Sequence, residues 1–461
     1  MHFVFVQPPI GKRVVSVSPA LSIPYLAAIV EAKQIKVSVI ISDAEGLNVD
    51  QTAERVVKLN PDVVGFSIGT VAAFNSYDIA RLIKEQVAGV ITIAGGHHAT
   101  IFPEEVLCNG IDFVAIGEGE KTIGEFSDYL LGERIIEEVR GIAYCIEDGI
   151  KYNEAQSPID NLDNLPMPAW HLMPIEKFSS NFQKTSKNLP IMTSRGCPGQ
   201  CIFCFKGLFG SKFRMRSAKS IVSEILYLKE KFGINSFDII DDHFAANPKR
   251  AIEVCSLIKK NSIHLAWGLP SGIRVDVVSE ELLKALKEAG CYRIGFGVES
   301  GNDQILRIIK KYTTKDQIFK AVRLAQKLNF ETYCFFIIGN LGETEQTIDD
   351  TIKFALELDP DIAQFTVAIP YPGTEMFQVL QQQSRICSYD WNDYDYFKSG
   401  RQVFEHEHLK YDVIQKKYSE AYKRFYLRPK FIIKKFKTLK NFEEISRLLK
   451  SFLNFVGLFK S

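Results

Sequence analysis

What this 461-residue chain lacks narrows its reading first. No run of eighteen uninterrupted apolar residues occurs, so no membrane-spanning helix is expected. The opening Met1-His-Phe-Val-Phe-Val6 has neither a basic stretch nor a cleavage site, so no secretory signal is expected. Net charge is only +1, which argues against a uniformly basic or acidic surface. No G-x-G-x-x-G follows the first apolar stretch, so a dinucleotide is a poor candidate ligand. Nine cysteines are present, but not in the two separated pairs of a structural zinc site, and their unpaired look suits a reducing cytoplasm. With 46% hydrophobic and 24% charged residues, the composition is that of a globular protein, long enough for two or three domains.

What is present centres on Thr193-Ser-Arg-Gly-Cys-Pro-Gly-Gln-Cys-Ile-Phe-Cys204, just after the apolar Leu189-Pro-Ile-Met192. Cys197, Cys201 and Cys204 have the spacing C-x3-C-x2-C. Three thiolates on one tight loop can hold three irons of a cubane [4Fe–4S] cluster, and no fourth cysteine follows at ferredoxin spacing, so the fourth iron would stay open. The alternatives are three structural cysteines or a zinc site. The other six, Cys108, Cys145, Cys255, Cys291, Cys334 and Cys387, are scattered and read as core.

Residues 1–130 alternate strand and helix signals, with strands expected near residues 2–6, 36–41, 62–67, 90–94 and 112–116. Such repeats predict a doubly wound parallel sheet, which binds ligands beyond the carboxyl ends of its strands. Those ends carry Gln7-Pro8-Pro9, Asp43, Ser67-Ile-Gly69-Thr70, Gly95-Gly96 and Gly117-Glu118-Gly119. Residues 131–185 read as a connector with short strands around residues 141–146. Over residues 186–380 the alternation resumes, which predicts a partial (β/α)6 barrel with polar residues gathered after its strands. Residues 381–461 form a helical C-terminal extension whose aromatics, Tyr389, Trp391, Tyr394 and Tyr396, are expected to close over the substrate.

The cysteine loop resembles that of the radical S-adenosylmethionine (SAM) enzymes, down to Phe203 ahead of the last cysteine. Further pieces match in order: Asp241-Asp242, Gly297-Val-Glu-Ser-Gly301, and Gly339-Asn-Leu-Gly-Glu-Thr-Glu345, where Leu341 replaces the usual proline. With its first half, the chain resembles the subfamily in which a cobalamin-binding domain precedes the barrel. That subfamily includes methyltransferases and the anaerobic ring cyclase of chlorophyll synthesis. The resemblance implies that Cys197, Cys201 and Cys204 hold a [4Fe–4S] cluster whose open iron takes the SAM amine and carboxylate. Asp241 or Asp242 would accept from the ammonium, and Arg274 would pair with the carboxylate. Glu299 or Ser300 would accept from the ribose, and the backbone at Phe203 and the turn at Gly339 would flank adenine. Ser67, Gly69, Thr70, Gly95 and Gly96 would face the cobalamin tail. One departure stands out: the D-x-H-x-x-G loop that supplies a cobalt ligand in many cobalamin domains is replaced by Pro8-Pro-Ile-Gly-Lys-Arg13. No histidine ligand is expected from it, and His97 and His98 lie at a different strand end.

These features together lead us to expect methylation of an unactivated carbon in a small or lipid-like substrate, in the cytoplasm, with a flavodoxin or ferredoxin as reductant and no nucleic acid partner. Cyclisation or rearrangement without methyl transfer is the alternative reaction, and an iron–sulfur electron-transfer or sensing protein the non-enzymatic one. Charge is uneven: Tyr422 to Ser461 holds eleven Lys/Arg against two Asp/Glu. Asn441 caps an expected helix, with Glu444 at its third position and Ile445, Leu448, Leu449, Phe452, Leu453, Val456 and Phe459 on one face. Residues 430–461 therefore suit either peripheral contact with an anionic membrane or packing on the barrel. Under the membrane reading, deleting residues 430–461 releases the protein from anionic vesicles in a sedimentation assay and spares cluster assembly. Under the packing reading, the truncation aggregates and the intact chain does not sediment with lipid.

Overall fold

The strand His2–Gln7 is apolar in succession rather than alternating, as a strand covered on both faces must be, and Phe3, Val4, Phe5 and Val6 are all buried. In the computed structural model, which describes residues 1–10, 16–17, 21–180, 187–395 and 401–438, it pairs in parallel with Lys36–Ile41 on one side and Val63–Ser67 on the other. Ile91–Gly95 and Phe113–Ala115 continue the parallel sheet. Chain order reverses between His2–Gln7 and Val63–Ser67, the place where such sheets open a crevice. Ile142–Ile146, in the stretch read from sequence as a connector with short strands around residues 141–146, and Gly149–Tyr152, which the sequence reading did not pick out, extend this sheet antiparallel, making seven strands. The helix Gly119–Leu130, which the sequence reading did not pick out, packs against Ser22–Ala32.

The second sheet has six strands in chain order, all parallel: Asn188–Ile191, Ser236–Ile239, Ala266–Ile273, Cys291–Glu299, Glu331–Ile338 and Ile362–Val367. This is the expected (β/α)6 arrangement. The third strand runs well past its apolar start because Pro270, Ser271 and Gly272 fall in an irregular stretch between Leu269 and Ile273. Helix starts between the strands are fixed by side chains. Thr314 with Gln317, and Thr344 with Thr347, form reciprocal caps that satisfy the otherwise unpaired first amides.

Beyond the last strand lies a helix, Tyr411–Tyr426. Tyr422 Oη accepts from Phe365 N at 3.3 Å and donates to Phe365 O at 2.9 Å. Tyr426 Oη does the same for Ala363, at 3.1 and 2.8 Å. Four residues of helix rise about 6 Å and two residues of strand about 6.6 Å, so the two phenols fall in step with the strand's outward-facing backbone groups. They occupy the hydrogen bonds that a further strand would have made.

Among the aromatics expected over the substrate, Trp391 reaches the first domain instead. Its Nε1 donates to Glu105 Oε1 at 2.8 Å, and its ring packs on His98 and Phe102. Tyr394 is buried, Tyr389 is exposed, and Tyr396 lies outside the described residues. Of the six cysteines expected in the core, Cys255, Cys291 and Cys334 are buried, whereas Cys108, Cys145 and Cys387 are exposed. The helix expected from Asn441 onward also lies outside the described residues, and no described helix is long and apolar enough to cross a membrane.

Replacing Tyr422 and Tyr426 by phenylalanine should leave edge amides and carbonyls without partners. A loss of about 1–3 kcal/mol per tyrosine is expected in urea unfolding. Tyr312→Phe, at an exposed position, should leave stability unchanged.

Candidate active site

The cysteine loop is pinned at its base. Ser194 and Arg195 pair antiparallel with Met215 and Arg214, closing residues 196–213 into a loop. Both arginines at this base are buried and reach into the first domain. Arg195 Nη1 donates to Glu118 Oε2 at 3.0 Å and its Nη2 to Glu120, while Arg214 Nη2 donates to Glu118 Oε1. Arg214 Nη1 donates to Ile159 O at 2.7 Å, and Ile159 N returns a bond to Glu118 Oε2 at 3.2 Å. Burial works against the Arg195 charge, but Glu120 and Glu118 outweigh it and hold the guanidinium protonated. The loop carrying the three thiols is thereby fixed to the turn that ends the fifth parallel strand of the first sheet.

Within the loop, Ile202 N donates to Ile309 O at 3.2 Å and Met376 N donates to Ile202 O at 2.9 Å. Cys197 and Cys201 are half-buried and Cys204 is exposed. A hydrogen bond from Cys204 favours the thiolate of Cys201, and the positive charges of Lys311 and Arg274 add to this against the cost of burial. Arg274 is clamped by Asp276, its Nη2 to Asp276 Oδ2 at 2.8 Å, and a Cβ added at Gly199 would lie 3.2 Å from Arg274 Nη1 and 3.3 Å from Cys197 Sγ. Glu299 Oε1 pairs with Lys311 Nζ at 2.9 Å.

The paired aspartates differ. Asp241 is buried and faces back into the protein, accepting from Thr193 N at 2.5 Å, from Ser194 Oγ at 2.6 Å and from Thr193 Oγ1. Burial pushes its carboxyl up against these bonds. Asp242 is exposed and accepts from Gly196 N at 3.0 Å, directly beside Cys197. Ser300 is also turned inward: its Oγ meets Thr351 Oγ1 at 3.1 Å and accepts from Asn302 N at 3.2 Å. Phe203 is half-buried against the core. Gly339 donates its amide to Glu343 Oε2 at 2.7 Å and is covered by Ile414, which stands 3.2 Å from where a Cβ would be.

At the first sheet, the turns after Val63–Ser67 and Ile91–Gly95 are laced together. Ile68 N donates to Gly95 O at 2.8 Å and His98 N to Ile68 O at 3.1 Å. Gly96 has φ +100°, and a Cβ there would stand 2.8 Å from Ile68 O. Gly69 and Gly117 have open space where a side chain would go, and a Cβ at Gly95 would touch only Ala115, at 3.7–3.8 Å. Ser67 is half-buried, its Oγ 3.5 Å from Ser22 Oγ, and Thr70 opens the short turn into the helix Ala73–Lys84. His97 leaves this cradle towards the second domain, with its ring 5.6 Å from that of Phe205, the residue after Cys204.

Comparison with known proteins now decides the family. Residues 191–355 match the Radical SAM superfamily and residues 9–127 the B12 binding domain. An uncharacterized methyltransferase of Pyrococcus horikoshii is 36% identical over 445 residues, covering 94% of each chain. The chain belongs to the cobalamin-binding radical SAM enzymes. The anaerobic magnesium-protoporphyrin IX monomethyl ester cyclase of Rubrivivax gelatinosus is 28% identical over 86% of this chain and 72% of its own. The structure of the cobalamin-dependent SAM radical enzyme OxsB, with aqua-cobalamin and SAM bound, superposes with a TM-score of 0.76 at 19% identity, covering 98% of this chain and 70% of that one.

The cofactors of a radical SAM enzyme of this kind are a [4Fe–4S] cluster, SAM and cobalamin. The donor set fits the cluster: three thiols on one pinned loop, with two cations beside them. Among the described residues no three His, Cys, Asp or Glu side chains gather tightly enough for a single metal ion. A structural zinc takes four such ligands, whereas three thiolates suffice for a cubane with one open iron. At Gly69 and Gly117 nothing lies within 4 Å of where a Cβ would stand, so a ligand there can approach the backbone. Sequence reasoning missed Lys311 and the quartet of Arg195, Arg214, Glu118 and Glu120. The available signal was the Gly117-Glu-Gly-Glu120 run, whose two carboxylates at a strand end call for cations.

Removing one partner of a buried pair strands the other charge. Glu118→Ala or Arg195→Ala should therefore cost roughly 3–5 kcal/mol in denaturant unfolding. Lys212→Ala, which removes the exposed pair with Asp160, should cost less than 1 kcal/mol.

Proposed function

We propose that this radical SAM enzyme methylates an unactivated carbon of a small or lipid-like substrate. When bound, the cluster and SAM supply a hydrogen-abstracting radical, and cobalamin supplies the methyl group. The chain's own residues hold and aim these groups. Cys197, Cys201 and Cys204 take the irons. Asp242 accepts from an N–H of the SAM amino group, a role for which Asp241 is less suited because Thr193 and Ser194 already occupy it. Arg274, oriented by Asp276, pairs with the SAM carboxylate, and Glu299 accepts from the ribose. The backbone at Phe203 and Gly339 borders adenine, with Ser300 bracing the strand end behind Glu299. Ser67, Gly69, Thr70, Gly95 and Gly96 line the cobalamin cradle.

One observation carries the reading. The first-sheet turn at His97 and the cysteine loop lie close enough for His97 to pack on Phe205, which supports a methyl donor and a radical site held side by side. Oxidative cyclisation without methyl transfer is the second reading, favoured by the cyclase among the relatives. The electron enters from a flavodoxin or ferredoxin, and residues 430–461 offer a peripheral contact with anionic lipid.

Anaerobic reconstitution followed by mass spectrometry of SAM products tests this reading. Methyl transfer yields S-adenosylhomocysteine together with 5′-deoxyadenosine and a substrate heavier by one methylene; cyclisation yields no methylated product. Cys201→Ala should lose both cluster absorbance and 5′-deoxyadenosine, while Cys255→Ala should keep both. SAM cleavage retained in the Cys201 variant would falsify the assignment.

A further inference from the structure

Three residues with ordinary side chains adopt left-handed backbone around one ion pair. Glu299 has φ +62°, and Lys310 and Tyr312, on either side of Lys311, have φ +52° and +53°. Such backbone persists where the surrounding structure demands it, and it concentrates at functional sites. Between these residues Lys311 Nζ lies 2.9 Å from Glu299 Oε1, and Lys311 is only 8% exposed. Gly297 makes the space, since a Cβ there would stand 2.6 Å from Lys311 Nζ. The same stretch is moored to the cysteine loop through Ile202 N, which donates to Ile309 O at 3.2 Å. Arg274 Nη2 donates to Lys311 O at 3.3 Å and completes the attachment.

An ammonium carries three N–H donors. Glu299 takes one, and among the described residues no second hydrogen bond to Nζ is present. Two N–H groups of this buried cation therefore have no acceptor among the described residues, on a stretch moored to the cysteine loop.

We propose that Lys311 is the fixed counter-charge of the iron–sulfur cluster, giving its remaining N–H groups to the cluster's sulfurs and easing one-electron reduction. The proposal rests on the cluster assignment above. A three-thiolate cubane is anionic and gains one further negative charge when reduced. A nearby cation and N–H···S bonds favour the reduced form and raise the potential. One electron enters from a low-potential flavin or iron–sulfur donor; no bond forms or breaks, and no proton is taken up in this step. Glu299 opposes the effect in part while holding the lysine in place.

The test is the cluster midpoint potential, read by EPR-monitored titration of reconstituted protein without SAM. Lys311→Met should make reduction about tenfold less favourable, a shift of about 59 mV to lower potential for one electron. Lys311→Arg should retain most of the wild-type value. Glu299→Gln should shift the potential the other way, upward, which a loss of packing would not produce. Unchanged potentials in both Lys311→Met and Glu299→Gln overturn the proposal. Where Lys311→Met does not hold iron, the Glu299→Gln arm decides alone: an upward shift supports the counter-charge, and no shift overturns it. A wild-type protein that assembles no four-iron cluster overturns the cluster assignment itself, a result distinct from an assembled cluster whose potential ignores Lys311.

Discussion

The quartet of Arg195, Arg214, Glu118 and Glu120 is the contact on which the site depends. Two guanidiniums and two carboxylates are taken out of water together, and each is costly to bury without the others. Both arginines stand at the base of the cysteine loop, and both glutamates stand at one strand end of the other sheet. The loop therefore reaches its final geometry only when the two halves dock. The quartet fixes orientation as much as it stabilises: a guanidinium presents a planar fork, and Glu118 accepts from two of them while also receiving Ile159 N. Shifting one half against the other would break several of these bonds at once.

The parallel sheets were legible because their strands are buried on both faces and read as apolar runs separated by helical stretches. The cysteine loop was legible because three thiols at that spacing have few other uses. Elements that depend on partners distant in the chain were not. Ile142–Ile146 and Gly149–Tyr152 look like an isolated hairpin until Phe113–Ala115 is seen to lack a neighbour on that side. Asp241 and Asp242 are adjacent and chemically identical, and only folding shows that one serves Thr193 and Ser194 while the other faces out beside the loop. Lys311 sits within Lys310-Lys-Tyr312, a stretch indistinguishable in sequence from a solvated turn; its burial comes from Glu299, twelve residues earlier.

Charge around the loop follows a consistent pattern. Arg274 is aimed by Asp276 and Lys311 by Glu299, so two of the cations around the thiols are each held by a carboxylate, while Lys206 Nζ donates to Gly199 O within the loop. Such pairing keeps a long, flexible side chain in one place and limits the repulsion between the two cations.

The phenols of Tyr422 and Tyr426 bear on where this barrel ends as a unit. A bare parallel edge is a template for any passing strand, and proteins blunt such edges to stay out of aggregates. Here the protection is lent by a helix that begins only at Tyr411, well beyond the last strand–helix repeat. A fragment cut after residue 380 would keep every barrel strand and still present Ile362–Val367 uncovered to its neighbours. The barrel is thus not a separable module: during synthesis its last edge stays adhesive until a further stretch of chain has emerged to cover it.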